Sequence, residues 1–164
     1  MFKIDFKIRK MQPEDTKHVQ DVAKKSWNST YKDIIPLEIQ ENFLKTAYNG
    51  NMMAKRLEQS YLFIAEVKGK IVGFANFSSV KEEGQIDLLA IYLYAEYQGQ
   101  GIGSALLNEG IKKVDNAKEI RVNVEKDNHI GMDFYKTKGF EIMNEFDEDF
   151  NGHSLKTIQM VLKV

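Results

Sequence analysis

Apolar and polar positions alternate from the start of the chain: Phe2, Ile4, Phe6 and Ile8 interleave with Lys3, Asp5, Lys7 and Arg9, the two-residue period of a half-buried strand. Pro13, Glu14 and Asp15 then mark a helix start, and Val19, Val22, Ala23, Ser26 and Trp27 fall on one helical face. Pro36 breaks the next region, where Leu37 to Leu44 and Met52 to Leu57 read as two short helices about a turn at Asn49-Gly50-Asn51. Tyr61 to Val67 and Ile71 to Val80 are strands joined by the hairpin signal Lys68-Gly69-Lys70. Glu82-Glu83-Gly84 turns the chain into the aliphatic strand Ile86 to Leu93. Beyond it, Gly103, Leu106, Leu107, Gly110, Ile111 and Val114 recur at helical spacing. Glu119 to Val124 is a further strand and Ile130 to Lys138 a helix. Phe140 to Glu145 and Leu155 to Leu162 are the last strands, joined by an acidic loop around Asn151-Gly152. This order, with strands and helices interspersed around one mixed sheet, predicts an α+β sandwich.

Composition narrows the classes. A chain of 164 residues, 43% apolar and 29% charged, reads as one soluble domain spanning 1–164 with a core large enough to need no staple. A net charge of -1 offers no electrostatic case for nucleic acid. There is no apolar run long enough for a bilayer and no leader-like stretch at Met1 to Phe6, so the cytoplasm is the default location. The chain has no Cys, which removes a thiol nucleophile, a Cys-based zinc site and any disulfide. His18, His129 and His153 show no metal-ligand spacing, so no metal is expected.

The candidate chemistry centres on Gln98-Gly99-Gln100-Gly101-Ile102-Gly103-Ser104, where strand gives way to helix. The first amides of a helix lack intrahelical partners and carry partial positive charge, so a phosphate is their natural ligand, and glycines let it come close. No Lys or Arg lies between Ile86 and Asn108, so the anion would be held by backbone. A nucleoside-triphosphatase loop needs a Lys before its Ser or Thr, and Ser104 follows Gly103 directly. A dinucleotide fingerprint would use Gly99 and Gly101 but meets Ser104 at its third position. Glu125, at the end of a later strand, stands about where that fold's ribose-binding acid is expected, so this reading stays open.

The segment from Gln98 to Gly103 resembles the Gln/Arg-x-x-Gly-x-Gly/Ala signature of the GNAT superfamily of acetyl-CoA-dependent N-acetyltransferases. A second stretch, Asn128 through Phe134-Tyr135 to Gly139-Phe140, resembles that family's Asn-x-x-x-x-x-Phe-Tyr-x-x-x-Gly-Phe segment. The resemblance implies a mixed, mostly antiparallel sheet of about seven strands flanked by helices. It also implies acetyl-CoA as co-substrate, with pantetheine between two splayed strands. The diphosphate would lie on Gln98, Gly99, Gln100, Gly101, Ile102, Gly103 and Ser104. Pantetheine would pair with Ile91, Tyr92, Leu93 and Asn128, and backbone near Leu93 would polarise the thioester carbonyl.

By the same resemblance Tyr135, close to the sulfur, is the general acid for the leaving thiolate; packing of a short helix is its plainer reading. Asp87 matches the position where many relatives carry a Glu base, and Glu125 is the alternative, either acting through water; both are otherwise surface carboxylates. Asn128 also suits an N-cap. Lys136 and Lys138 would reach the outer phosphates or simply be solvated.

Ser26 to Tyr31 resembles a Trp-x-x-Thr-Tyr stretch of bacterial small-molecule members, which puts the acceptor among Trp27, Tyr31, Ile34 and the acidic loop at Asp147-Glu148-Asp149. Trp27 and Tyr31, at i and i+4, are otherwise core. The expected acceptor is a primary amine of a small molecule such as a polyamine. The alternatives are a protein or peptide amine, or a non-catalytic CoA or nucleotide sensor. Direct transfer in a ternary complex follows from the resemblance, and a homodimer is compatible with it.

Overall fold

The structure, a computed structural model, describes residues 4–164; Phe2 and Lys3 of the first expected strand lie outside them. The first strand, β1, is shorter than the alternation suggests and spans Lys7–Lys10. A single 3-10 turn at Pro13–Asp15 leads into helix α1, Thr16–Thr30. Asp15 ties this corner together: its carboxylate accepts from the Gln12 N–H and from both terminal nitrogens of Arg9 at 2.8 and 3.0 Å. Arg9 in turn donates to Glu66. The expected face of α1 is the buried one, with Val19, Val22 and Ala23 fully enclosed and Ser26 and Trp27 nearly so.

Helices α2 (Leu37–Ala47) and α3 (Gly50–Gln59) follow. Asn49-Gly50-Asn51 is not a free turn: Asn49 accepts from the Met52 N–H at 2.9 Å, and α3 starts at Gly50. Strands β2 (Ser60–Val67) and β3 (Lys70–Ser78) form the hairpin, with Lys68 and Gly69 both at positive φ, as a tight primed turn requires. Then come β4 (Gln85–Leu93), α4 (Ile102–Lys113), β5 (Glu119–Glu125), α5 (His129–Thr137), β6 (Glu141–Phe150) and β7 (His153–Lys163).

These seven strands make one sheet in the order β1-β2-β3-β4-β5-β7-β6. Every neighbouring pair is antiparallel except β4 with β5. Helix α4 lies so close to β3 that a Cβ on Gly110 would stand 2.1 Å from the Phe77 ring, so only glycine permits that approach.

The acidic loop is a correction. Asp147, Glu148 and Asp149 belong to β6, each paired with a residue of β7 down to Phe150 opposite His153, and only Asn151-Gly152 turns. Acidic side chains suggested a loop, but on an edge strand they face water, and Asp147 pairs with Lys156.

Two details open the sheet where it matters. Parallel pairing of β4 with β5 runs only from Gln85–Glu119 to Asp87–Arg121 and then stops. On the other side of β4, Ala90 opposes Asn76 while Leu88 opposes Phe77, so Leu89 is an extra residue in a bulge. A bulge bends its strand and increases the local twist. From Leu88 onward β4 therefore diverges from β5.

Candidate active site

The divergence leaves a cavity of about 430 Å³ between the two strands. Its walls are Leu88 to Leu93 of β4 and Val122 to Val124 of β5, and its ends are the glycine loop and α5. Leu89, half exposed, and Ile130, more than half exposed, are apolar side chains on this cavity that water alone would cover.

At the mouth, Gly99 has φ of 75° and Gly101 φ of 88°, the left-handed region that side chains avoid. A Cβ added at either would meet nothing within 4 Å, so the main chain is bare on that side. Gly101 is the N-cap of α4 and no side chain caps this terminus, whereas Asn49 and Asn128 cap α3 and α5. The first amides of α4 are thus free for an anion. Gln98, Gly99, Gly101, Gly103 and Ser104 line the cavity, and so does Lys138. Gln100 and Ile102 do not: Gln100 is exposed and donates to the Glu96 carbonyl, and the Ile102 side chain is fully buried in the core. These two contribute main chain alone. Gly103 brings α4 against α5, since a Cβ there would lie 3.1 Å from the Phe134 ring.

Along the wall, Ile91, Tyr92 and Leu93 all face the cavity. The Ser26 hydroxyl donates to the Leu93 carbonyl at 2.8 Å and fixes the end of β4 to α1. Asn128 lines the cavity as well, and its Oδ1 accepts from the Gly131 N–H at 3.0 Å, so it caps α5 while standing at the slot. Tyr135 lines the cavity from α5 and is buried. Burial pushes its phenol well above the ordinary value, which keeps it protonated and able to donate. Tyr31 and Tyr92 are raised by burial too, and Tyr31 feels Tyr92, Tyr135 and Glu125 as neighbours.

The carboxylates divide. Asp87 sits where the β4–β5 ladder ends; Lys81 Nζ and Gln85 hold its carboxylate and Ser78 holds its N–H, and it is not among the cavity's lining residues. About 20 Å of strand separates it from Leu93. Glu125, the last residue of β5, is only 8% exposed and accepts from the Asp127 N–H at 2.7 Å. Desolvation raises its pKa, against the lowering effect of that N–H. It is therefore a carboxylate fixed by main chain at the end of β5; like Asp87 it is not among the residues lining the cavity, although Val124 and Asn128 on either side of it are.

The three expected acceptor residues separate as well. Tyr31 lines the cavity; Trp27 and Ile34 do not. They belong to a second apolar cluster with Ile35 and Leu155, sealed by Phe43 and Phe150. The lining also takes in Ser26 and Thr30 on α1 and Phe134 on α5, which stand inside the matched stretches with no role assigned to them, and Val122 to Val124 on β5, at which only the period-2 apolar pattern hinted. Among the described residues no three His, Cys, Asp or Glu side chains come together as a metal site, and no helix is long and apolar enough to cross a membrane.

A sheet parted beside its one parallel pair, with uncapped amides at the opening and a buried phenol within, is the geometry of an acyl-CoA-dependent acyltransferase. The chain belongs to the acetyltransferase (GNAT) family, whose model matches residues 19–140. It is 29% identical over 155 residues to a spermidine N(1)-acetyltransferase of Thermoplasma acidophilum, covering 90% of this chain and 95% of that one. An N-alpha-acetyltransferase of Sulfurisphaera tokodaii is 30% identical over 96 residues, 51% of this chain and 58% of that one. The fold superposes with a TM-score of 0.84 on the PaiA N-acetyltransferase of Thermoplasma acidophilum solved with coenzyme A, at 27% identity over 98% of this chain and all of that one. The protein is an N-acetyltransferase and acetyl-CoA is its acyl donor.

Proposed function

We propose that this enzyme moves the acetyl group directly to a primary amine of a small cationic molecule, a polyamine being the best candidate. The observation that supports this reading is the placement of Tyr31 and Tyr135 on the lining of a cleft that also takes in the bare amides of the glycine loop, with Glu125 one residue beyond Val124 of its wall. The name of the Thermoplasma relative, similar over nearly the whole chain, supports a polyamine acceptor. The aromatic closure beside Tyr31 also favours a small molecule over a peptide, which needs an open groove.

Acetyl-CoA supplies an activated thioester when bound. The chain's own residues do the rest. The amides of Ile102 to Ser104 and the bare backbone at Gly99 and Gly101 would hold the diphosphate, and Ile91 to Leu93 with Asn128 would hold the pantetheine arm. A primary alkylamine is only about one part in a thousand neutral at pH 7, a handicap of roughly 4 kcal/mol unless a base takes its proton. Glu125, whose pKa burial raises above the ordinary carboxylate value, is the base in this reading, acting through water, rather than the ion-paired Asp87. Tyr135, kept neutral by burial, donates to the leaving sulfur. Of the two protons the ammonium loses, Glu125 passes one to solvent and the other replaces, on Tyr135, the proton given to the thiol, so the chain returns to its starting state. With no Cys in the sequence, no acetyl-cysteine intermediate is available.

The test is turnover of acetyl-CoA with spermidine, putrescine, lysine-tailed peptides and N-terminal peptides, followed by released thiol, which the Cys-free protein does not obscure. Spermidine should be turned over best, and Tyr135→Phe should lower kcat while leaving acetyl-CoA affinity near that of the parent. Turnover of peptides alone would overturn the acceptor, and acetyl-CoA binding with no amine turned over would favour a sensor.

A further inference from the structure

Leu93, the last residue of β4, is held from three sides. The Ser26 hydroxyl on α1 donates to its carbonyl at 2.8 Å. A Cβ on Gly73, its partner on β3, would stand 2.2 Å from the Leu93 Cδ2, so the missing side chain makes room for it. The Leu93 Cδ1 would lie 3.8 Å from a Cβ on Gly103 of α4. The end of the strand is thereby located against α1, β3 and α4 at once.

The Ser26 bond is unlike that of other hydroxyls on helices. A serine or threonine there commonly donates back to a carbonyl one turn earlier. Thr46 does so to Asn42 at 2.9 Å and Ser60 to Arg56 at 2.6 Å. Ser26 instead reaches out of its helix to a strand 67 residues further along the chain. It is only 3% exposed, and what it shows faces the active-site cavity. Asp21, also on α1, accepts from the Tyr94 hydroxyl, so the helix is attached to the next residue as well.

The alternation of the sheet tells which groups this leaves open. In an antiparallel pair, consecutive residues direct their main-chain groups to opposite sides. Tyr94 sends its N–H to the Val72 carbonyl at 3.0 Å, on the side of β3. Leu93, one residue earlier, therefore directs its own N–H and C=O the other way, toward β5. No ladder meets them there, because pairing with β5 stops at Asp87 opposite Arg121. Ser26 takes the carbonyl. The last rung of β4 thus offers the slot a donor and no acceptor.

We propose that Ser26 is a positioning residue for acyl transfer: by occupying the Leu93 carbonyl it fixes the register of the bound donor. An open carbonyl there would accept an amide N–H of the pantetheine arm and let the arm slip along the slot. With that carbonyl taken, the rung selects an acceptor that brings no N–H of its own, and on acetyl-CoA that is the thioester oxygen. Ser26 acts through Leu93 and exchanges no proton with either reactant. This depends on acetyl-CoA as donor and not on which amine accepts.

Infrared difference spectra of the enzyme with acetyl-CoA isotope-labelled at the thioester carbonyl read the hydrogen bond to that oxygen without turnover. In the parent the band should lie below that of free acetyl-CoA. In Ser26→Ala it should move back toward the free position, while calorimetry shows acetyl-CoA affinity within about threefold of the parent. With spermidine as acceptor, kcat should fall about tenfold at an unchanged KM for acetyl-CoA. Ser26→Cys, whose S–H is a weaker donor, serves if the alanine variant does not fold, and its band should lie between the two.

Tyr94→Phe cuts the other attachment of α1 without touching the Leu93 carbonyl. It should lower Tm and leave the band where it is. A band that moves as far in Tyr94→Phe as in Ser26→Ala, or one that stays in place in Ser26→Ala whatever its Tm, overturns the proposal and leaves Ser26 a mere fastening of the helix. If spermidine is not acetylated and the band still moves in Ser26→Ala alone, the positioning role stands and the acceptor assignment falls.

Discussion

Replacing Gly101 by alanine separates folding from donor binding. Gly101 caps α4 at φ 88° and ψ -3°, and an added methyl meets nothing within 4 Å. The unliganded fold therefore loses only the cost of a left-handed alanine, about 1–2 kcal/mol. A less flexible unfolded chain offsets about 0.4–1 kcal/mol of that. The net loss, about 1 kcal/mol, corresponds to a fall in Tm of about 3 °C in a chain of this size.

The effect on the donor is larger, because the methyl occupies the space through which a diphosphate must reach the amides of Ile102 to Ser104. Each charge-assisted hydrogen bond lost is worth about 1.5–3 kcal/mol, so the loss of one weakens CoA at least about tenfold. Calorimetric titration with CoA and with S-acetylpantetheine, which carries the same thioester arm without the diphosphate, reads the two parts separately. CoA should bind at least about tenfold more weakly and the short donor should bind as it does to the parent. An equal loss for both, or none for CoA, would refute the assignment of the loop.

Two further predictions concern burial. Burial raises the Glu125 pKa in the fold, so the native state holds that proton more tightly than the unfolded chain does. Its favourable contribution is present below the ordinary carboxylate range and is lost as pH rises through the raised value. Glu125→Gln should therefore raise Tm at pH 7 to 8, leave it nearly unchanged at about pH 3, and lower kcat about 10²-fold; a lower Tm at pH 7 would contradict the burial argument. Gly110→Ala drives a methyl into the fully buried Phe77 ring, 2.1 Å away. Despite about 1 kcal/mol of better helix propensity, urea melts should show a net loss of about 1–3 kcal/mol, and Phe77→Leu in the same chain should recover part of it.

Patterns that depend on local period were readable in the chain. The buried face of α1 and that of α4 could be listed residue by residue, because a helix repeats its core positions every three or four residues whatever it packs against. The glycine loop was readable for a different reason: positive φ and close approach leave few residue types to choose from. What escaped depends on pairing between distant strands. The bulge at Leu89 carries no residue signature, since Leu88-Leu89-Ala90 reads as an unbroken apolar strand, yet it sets where the sheet opens. Asp87 has a suitable residue type at a suitable place, but only the fold shows Lys81 on its carboxylate. Trp27 lies on the expected helical face, but Phe150, more than a hundred residues away, covers it.

A sheet interrupted beside its middle strand behaves mechanically as two leaves sharing a short hinge, here the three paired residues from Gln85 to Asp87 and their partners on β5. Beyond the hinge, main-chain groups of both leaves face a gap instead of each other. A thin extended molecule with amide groups of its own can act as the missing rung between them. Donor occupancy would then do more than deliver a reactive group: it would splice the leaves into one stiff plate, so that the acceptor meets a rigid partner only after the donor has arrived.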